Sequence, residues 1–221
     1  MSDRAALAAL AELAADTGHD LRDEAALRGV YSTGPMATSL AKVADHVHPL
    51  YRPWIEASPF AVLATLGPHG LDTSPRGDAP GFVQVLDEKT LLLPDRRGNQ
   101  RIDSLRNLVH DPRLALLFLI PGFGEALRVN GSARISAHPA LCAQLAVDGK
   151  APASVLVITV ASVYFQCARA IKRSGLWDPA QHVAAGTLPS PGTILQVLSE
   201  RAIDGTAYDS ALQARQAATL Y

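Results

Sequence analysis

The chain has 221 residues, 48% of them hydrophobic, and 20 basic side chains against 21 acidic ones leave a formal charge of −1. A chain of this size and hydrophobicity can bury about 70% of its unfolded surface, so intrinsic disorder is excluded. Nucleic-acid-binding proteins usually carry a strong basic excess, so that class is disfavoured as well. The balanced total charge is still compatible with a local basic site for a small anion.

The cysteine content and the short apolar runs exclude disulfide-rich, zinc-binding and membrane-spanning proteins. Cys142 and Cys167 are too few for a disulfide framework or a four-cysteine zinc site, and no CxxC or HExxH motif is present. The longest apolar runs, 114–120 and 155–165, are well short of the ~20 residues that a membrane-spanning helix needs. We therefore expect no metal centre, no nucleic-acid or membrane partner, and a cytoplasmic location.

The first quarter of the sequence is predicted to be mainly helical. Residues 1–15 are rich in alanine and leucine but interrupted by charges, which predicts a short amphipathic helix and not a secretion signal. Further helices are expected at 23–30 and 40–48. Ser39 is placed to cap the third helix and Pro49 to end it.

Short strands separated by turn residues dominate from residue 60 onward. The predicted strands are 60–66, 71–76, 82–86, 90–93, 114–120, 126–135 and 155–165. Helices are predicted between strands at 99–110 and 139–147, and after the last strand at 194–201 and 208–220. Most connections are of hairpin length, which favours a small antiparallel barrel with peripheral helices over a doubly wound parallel sheet.

The sequence PDRRGNQR at 94–101 is the first candidate site, because it leaves a predicted strand and opens a predicted helix. Its three arginines lie within six positions and are Arg96, Arg97 and Arg101. Asn99 is a suitable N-cap, and the free N–H groups of a helix N-terminus favour phosphate together with arginine side chains. The alternative is a solvated loop whose arginines form ion pairs with Asp95 and Asp103.

The sequence DTSPRGD at 72–78 is the second candidate, since Ser74 and Arg76 share one face of a predicted strand. Two side chains that favour anions therefore face one way on a strand that precedes the arginine-rich loop by one hairpin. The alternative is a structural arginine, with Arg76 paired to Asp72 or Asp78.

Together these features resemble the FMN-binding split-barrel superfamily of pyridoxamine 5′-phosphate oxidase, and more closely a branch of FMN-dependent enzymes of unknown substrate. The likeness covers most of the chain and depends on the order and spacing of its motifs. These are FAVLATLGPHGL at 60–71, TSPRGDAPGFV at 73–83, LLLPDRRGNQRIDSLR at 91–106, DPRLALLFLIPG at 111–122, EALRVNGSARIS at 125–136 and FQCARAIKRSGLWD at 165–178.

The resemblance implies a mainly β (α+β) fold, namely a six-stranded antiparallel split β-barrel with peripheral helices. It further implies a homodimer with FMN at the subunit interface. We expect a single domain, residues 1–221, with a barrel core at about 58–180 and helical extensions at 1–57 and 181–221. By position, the residues implied in cofactor binding are Ser74, Arg76, Arg96, Asn99, Arg101, Lys172 and Trp177. Whether Asn99 or Gln100 takes the place of the oxidase's serine stays open.

The implied function is an FMN-dependent oxidoreductase acting on an unidentified small molecule, with NADH or NADPH as a candidate electron donor. The flavin itself transfers hydride or electrons, which agrees with the lack of a recognisable catalytic triad. The chain lacks the C-terminal Arg-x-His signature of the oxidase, so oxidation of pyridoxamine phosphate itself is not expected. A non-catalytic flavin-binding protein, a haem-binding split barrel and a deazaflavin in place of FMN remain alternatives.

Overall fold

In the computed structural model, which describes residues 3–221, helices precede one antiparallel sheet. The chain divides into two compact units at Ala41 and Lys42, and the prediction of a single domain stays a prediction. The first unit contains α1 (Asp3–Ala15), a 3₁₀ turn (Thr17–His19), α2 (Glu24–Val30) and α3 (Ala37–Ala41). Met1 and Ser2, the start of the first predicted helix, lie outside the described residues.

The helix predicted at 40–48 is wrong, because the chain pairs with the sheet there. The backbone of Ala44 exchanges two hydrogen bonds with Val163, at 3.0 and 2.8 Å, and Val47 is buried in the core. Ser39 lies inside α3 and does not cap a helix. Pro49 does not end a helix either, because residues 42–48 are not helical. A helix that the sequence did not predict, α4 (Arg52–Ala57), follows instead and buries Ile55 completely.

The second unit is organised by a sheet of seven strands, counted within residues 3–221, in the order β2–β1–β5–β6–β7–β4–β3. All neighbouring strands are antiparallel. The strands are β1 (Phe60–Gly67), β2 (Gly70–Gly77), β3 (Gln84–Val85), β4 (Thr90–Asp95), β5 (Arg113–Leu119), β6 (Ala126–Ser136) and β7 (Ser154–Gln166).

This arrangement confirms the α+β class and the antiparallel pairing but not the six-stranded split barrel. The strand order is open, since β2 and β3 stand at its two ends without pairing to each other among the described residues. The strand predicted at 82–86 is reduced to two residues. Phe82 and Val83 are buried, but a backbone hydrogen bond from Phe82 to Ala79 makes a turn where the prediction has a strand.

Helices of the second unit flank the strands. After α4 they are α5 (Asp103–His110), α6 (Pro139–Gln144), α7 (Arg169–Ser174), a 3₁₀ turn (Pro179–Gln181), α8 (Pro191–Leu198) and α9 (Gly205–Ala218). The last two begin earlier than predicted because Ser190 and Asp204 cap them, each accepting a hydrogen bond from a backbone N–H of the first turn. Within residues 3–221, no helix is both long and apolar enough to span a bilayer.

The main hydrophobic core lies on the sheet and includes side chains from six strands. Its largest fully buried members include Leu63, Leu91, Leu93, Leu116, Phe118, Leu127, Leu156 and Ile158. Burying each such side chain contributes roughly 1.5–3 kcal/mol, so these contacts hold the strands in their observed order.

Helix α5 is held close to β1 by one tight contact. Asn107 is buried on this helix and its Nδ2 donates to Oγ1 of Thr65, at 3.2 Å. A Cβ atom at Gly67 would lie 1.9 Å from Oδ1 of Asn107, so only glycine allows the helix to approach this closely. The contact holds α5 against β1, and the candidate site forms beside the start of this helix.

Asp111, immediately after α5, provides a pH-dependent contribution to stability. Hydrogen bonds from the side chain and the backbone N–H of Arg113 lower its pKa from 3.8 to about 2. Since the folded-state pKa lies below the ordinary value, the contribution is present above about pH 4 and is lost as the pH falls through 2.

We expect Asp111→Asn to lower the free energy of unfolding at pH 6, and the difference from wild type to shrink between pH 4 and pH 2. Urea unfolding of both proteins across this range measures it. A difference that stays constant with pH would contradict the assigned ion pair.

Candidate functional site

A cavity of about 800 Å³ lies among β2, the end of β4, the loop that precedes α5 and the segment that precedes β7. Its volume falls within the range of roughly 300–1,000 Å³ that small-molecule sites occupy. The cavity brings together five of the seven predicted cofactor-binding residues: Ser74, Arg76, Arg96, Asn99 and Arg101.

Strand β2 contributes one face to this cavity through its pairing with β1. Asp72, Ser74 and Arg76 are half-buried, whereas the residues between them are exposed. The register places Ser74 opposite Leu63 and Arg76 opposite Ala61, two buried residues of β1. The side chains that alternate toward the protein therefore line the cavity, as the period of two predicts.

Arg76 is the basic residue of β2, and the hydrogen-bonding capacity of its guanidinium is incompletely satisfied. Its Nη1 lies 3.2 Å from Oδ1 of Asp95, and the two side chains are 20% and 19% exposed. Its Nε is buried and has no hydrogen-bond partner among the described residues. An unpaired buried donor on a charged group costs free energy, so an acceptor atom of a ligand would be stabilised there.

Asp95 is a weak counter-ion for Arg76. Burial raises the pKa of the Asp95 carboxyl, and the nearby charge of Arg76 lowers it only in part. The pairing also differs from the predicted alternative, in which Arg76 contacts Asp72 or Asp78. Asp72 instead accepts a hydrogen bond of 2.6 Å from Oγ of Ser104.

Arg96 is held by the fold on the wall of the cavity. Its Nε donates to Oδ2 of Asp78 at 2.8 Å, and its Nη1 donates to the carbonyl oxygen of Leu145 at 2.7 Å. Asp78 is only 3% exposed and also accepts a 2.6 Å hydrogen bond from the hydroxyl of Tyr221. Burial raises the pKa of Asp78, but hydrogen bonds from Tyr221, the Ala79 N–H and Arg96 outweigh it and lower the pKa.

Tyr221 is therefore a residue of this cavity that the predicted set of cofactor-binding residues does not contain. It lies 143 positions from Asp78, and no local pattern connects residues so far apart. Its phenol ring lies 5.8 Å from the guanidinium carbon of Arg96, within the range of a cation–π contact.

The loop between β4 and α5 differs from its prediction as a helix start. The helix predicted at 99–110 begins only at Asp103, because Gln100 (φ 64°) and Ile102 (φ 52°) adopt left-handed conformations that break the helical path. Asn99 does not cap the helix; its Oδ1 accepts from the N–H of Arg101, at 3.1 Å. Such local hydrogen bonds compete with helix formation.

Arg97 and Arg101 of this loop are exposed, whereas Arg96 is largely buried. Arg101 pairs with Asp103 at 2.8 Å, as the solvated-loop alternative predicts, and its side chain is 76% exposed.

The cavity lining as a whole has five basic side chains and three acidic ones, an excess of two positive charges. They are Arg76, Arg96, Arg97, Arg101 and Lys150 against Asp72, Asp95 and Asp103. This balance favours an anionic ligand.

Lys172 and Trp177 do not line the cavity of their own chain. Nε1 of Trp177 donates to the carbonyl oxygen of Phe123 at 2.7 Å, in the turn between β5 and β6. Lys172 belongs to α7, which follows the opposite end of β7 from the residues at the cavity. Their assignment to the cofactor site stays a prediction.

No cluster of potential metal ligands is found within residues 3–221.

The ion pairs Arg76–Asp95 and Arg101–Asp103 are expected to contribute differently to the free energy of unfolding. Arg76→Gln leaves Asp95 without its charged partner in a largely buried position, and should lower the free energy of unfolding by roughly 1–3 kcal/mol. Arg101→Gln removes an exposed pair and should change it by less than about 1 kcal/mol. Urea unfolding without added ligand measures both, and equal effects would show that burial does not distinguish the pairs.

Comparison with known proteins identifies a family for most of the second unit. The sequence model of the family described as pyridoxamine 5′-phosphate oxidase matches residues 47–167, more than half of the chain. A comparison with functionally curated proteins found no match.

Solved structures with similarity to the chain include HupZ from Group A Streptococcus (19% identity, TM-score 0.43, 52% of this chain and 90% of that one). A second is a Clostridium acetobutylicum protein of the pyridoxinephosphate oxidase family, related to general stress protein 26 (17% identity, TM-score 0.42, 52% and 84%). A third is general stress protein 26 from Bacillus anthracis (14% identity, TM-score 0.39, 51% and 88%).

The matched segment contains β1 to β7 and α5, and it includes all five predicted residues that line the cavity. By the extent of this match, the chain belongs to the pyridoxamine 5′-phosphate oxidase family.

Proposed function

We propose that the protein binds FMN, with the phosphate group in the basic cavity beside β2. The observation that carries the proposal is the buried, unpaired Nε of Arg76 in a cavity with excess positive charge. A phosphate oxygen is a strong acceptor for such a donor, and arginine is well suited to phosphate because its nitrogens form a planar fork.

The residues around the cavity differ in what they can contribute. Arg76 would donate through its free Nε while Asp95 keeps hold of Nη1. Arg101 is exposed and can leave Asp103 at little cost, because exposed ion pairs contribute little. Ser74 lies on the same strand face as Arg76 and can add a hydroxyl donor. Arg96 contributes its charge and its remaining nitrogen, Nη2, because Nε and Nη1 are already engaged by the protein.

Bound FMN would supply hydride or electron transfer, while the chain would bind and orient the cofactor. On this basis we infer an FMN-dependent oxidoreductase that acts on a small molecule other than pyridoxamine phosphate. We further propose a homodimer in which Lys172 and Trp177 of one protomer complete the cavity of the other. Neither residue lines the cavity of its own chain, which is compatible with a shared site, and a twofold axis would give two equivalent sites of this kind.

Loss of Arg76 should weaken FMN binding selectively. Charge-assisted hydrogen bonds contribute roughly 1.5–3 kcal/mol, so Arg76→Ala is expected to raise the Kd for FMN by about 10- to 150-fold. Arg101→Ala should have a smaller effect because its side chain is exposed. Riboflavin lacks the phosphate, so its Kd should change much less, and isothermal titration of both ligands measures the difference.

The matched control is Arg106→Ala, which removes an exposed arginine on α5 that does not line the cavity. It should leave the affinities for both flavins unchanged. Arg76→Lys keeps the charge but loses the fork of nitrogens, and it serves if Arg76→Ala does not fold. Equal losses for FMN and riboflavin, or none, would contradict the proposed phosphate site.

Turnover is tested separately from binding. If the protein is an oxidoreductase that accepts electrons from a nicotinamide nucleotide, anaerobic addition of NADH or NADPH should bleach the visible absorption of the bound flavin. A flavin that stays oxidised with both donors would favour a flavin carrier, and a haem spectrum of the purified protein would contradict FMN as its cofactor.

A further inference from the structure

The pair of helices α8 and α9 is fixed by a close crossing. A Cβ atom at Gly192 would lie 2.1 Å from the carbonyl oxygen of Gly205, so two glycines meet where the helices touch. Asp209 on α9 accepts hydrogen bonds from Oγ of Ser190 and from the N–H of Gly192, the latter at 2.8 Å. These contacts set the direction of α9, and the segment after this helix leads to the cavity.

Tyr221, at the end of that segment, contacts the cavity wall in two ways. Its hydroxyl donates to Oδ1 of Asp78, whose Oδ2 accepts from Nε of Arg96. Its ring also faces the Arg96 guanidinium within cation–π distance. Tyr221 lines the cavity itself, so its side chain is both a part of the wall and a support for a neighbouring wall residue.

The hydrogen bond from Tyr221 to Asp78 matters because Arg96 keeps a guanidinium nitrogen for a ligand. Asp78 engages Nε and the Leu145 carbonyl engages Nη1, and these two contacts do not use Nη2. A guanidinium already fixed in one orientation loses less conformational entropy when an anion binds. Without the Tyr221 hydroxyl, the buried carboxylate of Asp78 loses one of the donors that fix its orientation, so the Arg96 guanidinium that it holds is less restricted.

We propose that Tyr221 is a positioning residue of the cofactor site, which acts through Asp78 to fix the Arg96 guanidinium for the phosphate group. The inference rests on the proposed function, because it assumes that the cavity binds FMN. It extends the site from the sheet and the arginine-rich loop to the segment that follows α9.

The test uses Tyr221→Phe, which keeps the ring and its packing and removes only the hydroxyl. The Kd for FMN should rise by about 3- to 10-fold, the range for one lost hydrogen bond that acts indirectly, while the Kd for riboflavin changes by less than about 2-fold. Tyr208→Phe is the matched control, because Tyr208 lies on α9 with its ring 4.4 Å from the guanidinium of Arg215 and does not line the cavity. It should change neither Kd.

A double-mutant cycle shows whether Tyr221 acts through Arg96. In an Arg96→Gln background, Tyr221→Phe should cause no further loss of FMN affinity, because the residue that it positions is gone. Independent, multiplicative losses would overturn the inference, as would an equal loss of FMN and riboflavin affinity in the single variant. If Arg96→Gln does not fold, the FMN-to-riboflavin ratio of Tyr221→Phe alone decides the question.

The failure of this inference differs from the failure of the proposed function. A wild-type protein that does not bind FMN overturns the proposed function, and this inference with it. A wild type that binds FMN beside an unchanged Tyr221→Phe variant overturns only the role of Tyr221.

Discussion

Arg76 carries a positive charge that is four-fifths removed from solvent, and Asp95 pairs with only one of its nitrogens. Removing a charged group from water costs free energy unless it is paired and hydrogen-bonded. Here the compensation is incomplete, since Nε has no partner within the described residues and burial raises the pKa of the Asp95 carboxyl. This unbalanced charge explains why the cavity beside β2 favours an anion.

The surrounding fold places further charges around Arg76. The β1–β2 register sets the half-buried face of β2, and the hydrogen bond from Ser104 to Asp72 holds the start of α5 beside it. Asp95 is the last residue of β4 and Arg96 is the next, and they have different partners: Asp95 pairs with Arg76, and Arg96 pairs with Asp78. The strained loop that follows presents Arg101 near the solvent, where the ion pair with Asp103 is weak enough to exchange for a ligand.

Local sequence patterns were sufficient to predict most strands of the sheet and several residues of the candidate site. Strands β1, β2, β5, β6 and β7 lie within about one residue of their predicted limits, because alternating hydrophobicity and turn residues are local signals. The same period of two placed Ser74 and Arg76 on one face. Their grouping with the arginine-rich loop depended on the family resemblance, which the match to residues 47–167 confirms.

Contacts between distant residues and an unusual loop conformation account for what the sequence did not predict. Pairing of Ala44 with Val163 replaces the helix expected at 40–48, although the local sequence is compatible with a helix. Asn99 has the right chemistry for an N-cap, but left-handed conformations at Gln100 and Ile102 delay the helix to Asp103. The contact of Tyr221 with Asp78 joins residues that are far apart in the chain, so a sequence pattern could not reveal it.

The central claim is that the unpaired donor of Arg76 receives the phosphate of FMN. A crystal structure of the protein with FMN tests it most directly, because it places the phosphate relative to a named atom. We expect a phosphate oxygen within about 3.2 Å of Arg76 Nε, with the ion pair to Asp95 retained. A flavin bound elsewhere, or a phosphate in the cavity that leaves Arg76 Nε without a partner, would contradict the account.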